Sequence, residues 1–146
     1  MRSLLTILIL CLTVNFSFAQ KVKIKKDHVT VDGKKYLNIE KINSSKYFVS
    51  TLDGVEFLSI DIESYGTGKY AGSGPSRYEI GHSYSVFKLL GVEDMEESFE
   101  IDESNKKTLF KLLYSNKVIV DGKLSIENFK RFKEKYSENV SERRFN

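Results

Sequence analysis

Between Lys21 and Glu63 apolar residues recur at every second position, the period of a strand that buries one face. Val22 with Ile24, Val29 with Val31, Leu37 with Ile39, Tyr47 with Val49, and Leu58 with Ile60 and Ile62 form five such runs. Asp32-Gly33 and Asp53-Gly54 fall between runs, and both residue types tolerate the positive φ that two-residue hairpin turns demand. Strands joined this tightly must pair antiparallel, so the pattern predicts a β-meander.

The segment Ser64 to Arg77 interrupts the alternation with Gly66, Gly68, Gly72, Gly74 and the only proline, Pro75, and predicts a loop. Alternation resumes from Tyr78 to about Leu90, with Tyr78, Ile80, His82, Tyr84 and Val86 on one face. Phe99 and Ile101 predict a short strand. Beyond Ser104, the expected N-cap, Leu109, Phe110, Leu112 and Leu113 suit a helix ending near Asn116. A second helix follows Ser125, with Ile126, Phe129, Phe132 and Tyr136 on one face, and Leu124 and Phe129 at the spacing of a hydrophobic staple. Residues 139–146 read as a polar tail that frays. Strands first and helices last give an α+β class: an antiparallel β-meander sheet packed against two C-terminal helices, in a single domain spanning residues 20–138.

The first residues change the picture of where this domain works. Arg2 and the apolar run from Leu4 to Val14, followed by Ser17 and Ala19 at the positions small residues take before a cut, read as a signal peptide of residues 1–19 with cleavage before Gln20. Polar Asn15 and Ser17 and the closely following lysines make this run too short for a bilayer span, so no transmembrane anchor is expected after cleavage. The only cysteine, Cys11, lies inside the leader, and Leu10 before it departs from a lipoprotein signal. The mature chain therefore has no disulfide or thiolate chemistry and must rest on a packed core. The expected location is the periplasm or the cell exterior.

Net charge is +3 over 146 residues, too near balance to argue for nucleic acid. The charges are segregated: lysines at 21, 23, 25 and 26, acids from Glu93 to Glu103, and a basic C-terminal stretch. These read as solvated faces, with Lys21, Lys23 and Lys25 marking an edge strand.

Candidate chemistry is sparse. Asp121-Gly122-Lys123-Leu124-Ser125 is similar to the second half of a calcium loop, but that register puts Lys117, Ile119 and Asn128 at ligand positions, so no metal is expected. The glycine-rich segment Gly66 to Gly74 precedes a strand, whereas a phosphate cradle opens a helix. Asp61 and Glu63 share a strand face, as ordinary polar-face acids do, and could otherwise form a carboxylate pair. His28, beside Asp27, reads as an exposed strand residue, and His82 as half-buried and hydrogen-bonded. No nucleophile motif and no cofactor motif is present, so no catalytic residue and no cofactor is expected. The candidate ligand-binding residues are Tyr65, Tyr70, Arg77, Tyr78 and His82, which together offer flat aromatic faces and a cation to a sugar or a peptide.

The leader ending Phe18-Ala19-Gln20, the opening Val22-Lys23-Ile24-Lys25-Lys26 with Val31-Asp32-Gly33-Lys34, and the closing Asp121-Gly122-Lys123-Leu124 with Phe132 to Tyr136 resemble a group of short exported Bacteroidetes-type proteins. The resemblance implies a shared fold and compartment. It rests on turn and cap signatures and carries no activity across. The expected function is a non-catalytic binding or interaction module for a protein or glycan partner of the envelope or exterior. The alternatives are an enzyme acting on an extracellular polymer through carboxylates that the fold assembles, and an inhibitor or immunity-type protein.

Overall fold

Each alternating run becomes a strand in the computed structural model, which describes residues 21–92 and 97–145; the expected leader, 1–19, lies outside them. The strands are β1 (Val22–Ile24), β2 (His28–Val31), β3 (Lys34–Lys41), β4 (Lys46–Ser50), β5 (Glu56–Ala71), β6 (Tyr78–Leu89) and β7 (Phe99–Ile101). They form one seven-stranded antiparallel sheet in chain order, a meander with β1 and its lysines at one edge. Helix α1 (Lys106–Ser115), a small hairpin of β8 (Ile119–Val120) and β9 (Lys123–Leu124), and helix α2 (Ile126–Tyr136) complete the α+β fold.

The turns show why the register holds. Asp32 and Gly33 both adopt positive φ, 50° and 83°, which matches a tight turn to the twist of β2 and β3. At Asp53-Gly54 only the glycine does, at 89°, and Thr51 and Val55 close a wider loop, so the two-residue turn expected there is corrected. Asp121 and Gly122 repeat the tight pattern, at 50° and 77°, between β8 and β9.

One sheet face meets the helices. Leu58, Ile60, Phe87 and Leu89 face Leu109, Phe110 and Leu113 of α1 and Phe129 and Phe132 of α2, all in one buried cluster. Phe87, Phe99, Phe129 and Phe132 stack with ring centroids 5.5–6.3 Å apart, the tilted and edge-on geometry that aromatic quadrupoles favour. Helix α1 is capped by Asn105, one residue past the expected Ser104; its side chain accepts from the Lys107 and Thr108 amides. Ser125 caps α2 as expected, accepting from the Asn128 amide.

The tail does not fray. Glu138 pairs with Glu100 beyond β7, Val140 is fully buried, the Ser141 amide donates to the Glu100 carboxylate at 2.7 Å, and residues Ser141–Phe145 form a 3-10 turn against β5. The buried Val140 side chain docks this largely polar stretch, and backbone and carboxylate hydrogen bonds fix the segment on either side. Among the described residues no helix is long and apolar enough to cross a membrane, and a lone cysteine cannot form an internal disulfide.

Candidate functional site

The segment expected to be a loop is the most projecting part of the sheet. β4 pairs with β5 only from Glu56 to Asp61, and β7 pairs with β6 only from Ser85 to Phe87. Past these, β5 and β6 continue with each other alone as far as Ala71 and Tyr78, making a two-stranded arm. The glycines serve two local purposes instead of ending the strand. Between the pairs Gly66–Gly81 and Tyr70–Glu79 the register slips, and three β5 residues oppose Ile80 alone. Gly68 takes φ 70° in this bulge and its amide donates to the Glu79 carboxylate at 2.8 Å, while a Cβ at Gly66 would collide with that same carboxylate. The Thr67 hydroxyl ties the bulge down by donating to the Ile80 carbonyl at 2.6 Å. At the tip, Gly72 has φ 82° and packs where a Cβ would meet the Ser76 carbonyl.

Strand alternation divides the five expected binding residues between two faces. Tyr65 lies opposite His82, with ring centroids 5.5 Å apart, and alternation along β6 places Tyr78 and Ile80 on that face. Tyr70 lies opposite Glu79, on the other face, where the Arg77 guanidinium stacks 4.4 Å from its ring centre. Tyr78 and Tyr70 are 63% and 54% exposed and Ile80 is 42% exposed, so the arm carries apolar surface that contributes nothing to the core.

The base of the arm is clamped. His82 Nε2 lies 2.7 Å from Asp102 Oδ1, Arg143 Nη1 donates to Asp102 Oδ2 at 2.5 Å, and Arg143 also pairs with Glu138. Tyr84 donates to Glu63 at 2.8 Å; burial, then that carboxylate, push the phenol up to about 12. Asp61 is held by Lys46 at 3.0 Å. Both members of the candidate carboxylate pair thus have a partner of their own. His28, expected to be exposed, has a side chain only 13% exposed, with Nδ1 2.7 Å from Asp27.

Asp102, Glu138 and Arg143 were not among the sequence candidates. Asp102, just past β7, meets His82 directly, and Arg143 and Glu138 join from the tail; no spacing rule connects positions so far apart, and the available signal was apolar Val140 amid polar neighbours. Burial pushes the Asp102 carboxyl up, but hydrogen bonds from Arg143 and His82 outweigh it and hold it below the usual carboxylate value. A carboxylate depressed in the folded state adds stability above its unfolded pKa of about 3.9, and that stability is lost as pH falls through the folded value. Acid titration of the wild type should therefore show a loss of stability below about pH 4 that is reduced in Asp102→Asn, read from denaturant midpoints at successive pH values.

No protein-family model, curated protein or solved structure matches this chain.

Proposed function

We propose that this protein is an exported, non-catalytic recognition module that binds a protein partner of the envelope or cell exterior through the β5–β6 arm. The observation that supports this reading is the arm itself. It runs past every neighbouring strand, pairs with none of them along its outer half, and exposes Tyr70, Tyr78 and Ile80. An unpaired strand edge offers a row of backbone donors and acceptors to an incoming extended segment, and alternating side chains beside it supply selectivity. Rigid aromatic residues are effective contacts because they bring large area at small cost in side-chain freedom. The clamp of His82, Asp102 and Arg143 holds the arm's base in place, so it is presented in a fixed orientation.

The test is a chain in which residues 66–81 are replaced by Asn-Gly, which closes the Tyr65–His82 pair as a two-residue hairpin. A photoreactive residue placed at Tyr70 or Tyr78 in the intact chain should give a discrete cross-linked protein in envelope material, and the shortened chain should lose that partner while keeping its melting midpoint. Retention of the same partner by the shortened chain would refute the reading; a partner released by glycosidase treatment would transfer it to glycan binding. Export is tested separately: the mature protein should begin at Gln20, cyclised or not, by mass spectrometry, and a mature species keeping residues 1–19 would overturn it.

A further inference from the structure

At the end of the sheet from which the arm projects, but on the helix side, a cavity of about 840 Å3 opens between the ends of β1, β3 and β4 and the first turn of α1. Its floor is apolar, made by Ile24, Ile39 and Phe110. Its rim is basic, with Lys25 and Lys26 from the β1–β2 turn, Lys41 from the end of β3 and Lys106 from the start of α1. We propose that this cavity is a binding site for a small organic anion with an apolar body, such as a medium-chain carboxylate, and that Lys106 and Lys41 receive the anionic head.

The volume falls within the range of small-molecule pockets, which combine a mostly apolar lining with a few convergent polar groups. The charge pattern then selects the ligand. Among the described residues, none of the four lysines has a carboxylate within ion-pair distance. Two acids do line the rim, but Asp27 is engaged by His28, and alternation along β3 turns Glu40 away from the face that Ile39 and Lys41 share. Lys106 is half-buried and donates to the Tyr47 hydroxyl, with its ammonium 4.0 Å from that ring's centre. Burial and then the Lys41 charge make its charged form harder to hold, as expected where an anion is missing from its surroundings. The first turn of α1 adds the positive end of a helix dipole to the same rim.

Calorimetry and backbone NMR on the full mature protein, with octanoate, 1-octanol and acetate as probes, decide the matter. Octanoate should bind and shift resonances of Ile24, Ile39, Phe110 and Lys106, while octanol binds at least about tenfold more weakly and acetate does not bind. Lys106→Met, which keeps length and removes charge, should weaken octanoate by about tenfold and leave octanol unchanged, and Lys106→Arg should restore it. Equal binding of octanoate and octanol would reduce the site to an apolar hollow, and binding of acetate as tight as octanoate would reduce it to an ion site. Either result, or no binding by octanoate, overturns the proposal. The chain with residues 66–81 replaced should keep full octanoate affinity, so failure at the arm and failure at the cavity are read independently.

Discussion

Phe129→Ala and Phe132→Ala are each expected to remove about 3–5 kcal/mol of stability, enough to unfold or nearly unfold a domain of this size. Both rings are fully buried, and each touches the other as well as Phe99, so either truncation opens a void at the point where α2 meets β6 and β7. The void cannot collapse easily, because its walls are the ring of Phe87, on the part of β6 paired with both β5 and β7, and a helix whose entry is fixed by its Ser125 cap. No disulfide is available to limit the entropy of the unfolded chain. Lys130 and Lys135 lie on the exposed side of the same helix, and their replacement by alanine should cost about 0.5 kcal/mol or less. Urea melts of the four variants are the measurement. Wild-type midpoints in the two Phe variants would show that this helix face is not core.

The sheet was legible in the sequence because half-burial writes itself as period two. Val22, Val29, Leu37, Val49, Leu58 and Phe87 are buried on one side, and the chain order of the runs became the spatial order of the strands. The α2 face was legible for the same reason at helical period. Beyond the core the signal fades. Along the arm no face is buried, so apolar alternation gives way to glycines and tyrosines, and turn chemistry dominates the reading although the backbone stays paired to Ala71. Glycine at Gly66 leaves room for the Glu79 carboxylate and glycine at Gly68 takes the positive φ that aims its amide at the same group, and local sequence does not connect either to that residue of the opposite strand. Plain alternation, which the two extra residues of the bulge leave in phase, sets Tyr70 on the other face from Tyr65, and Arg77 stacks on Tyr70 there, so a binding set that looked continuous in sequence is split in space. No local pattern marks the cavity. Its lysines come from three separate elements, and each alone reads as an ordinary solvated charge.

Val140→Asp is expected to destabilise the protein by about 3–5 kcal/mol, the cost typical of a buried charge left without a partner. The prediction is a strong one because composition argues the reverse: a single valine in a polar terminus would ordinarily be free to accept any substitution. In the structure the side chain is fully buried, and the chain on either side is fixed by the Glu138 amide on the Glu100 carbonyl at 2.9 Å and by the Ser141 amide on the Glu100 carboxylate at 2.7 Å. An aspartate here would sit near that carboxylate, so like-charge repulsion adds to desolvation. The chain has one escape, which is to undock residues 139–145 and release Arg143 from Asp102. That route caps the loss at the free energy of docking the tail, which a chain truncated after Glu138 measures directly. The expected order of urea midpoints is therefore wild type, then Val140→Ala lower by about 1–2 kcal/mol for its lost methyl groups, then Val140→Asp at or near the truncated chain. Hydrogen exchange adds the local view, with the Glu138 and Ser141 amides losing protection in Val140→Asp before those of β6 do. A Val140→Asp variant with the wild-type midpoint and unchanged protection would return the tail to the frayed end that its polarity suggests, and would detach Arg143 from the clamp at the base of the arm.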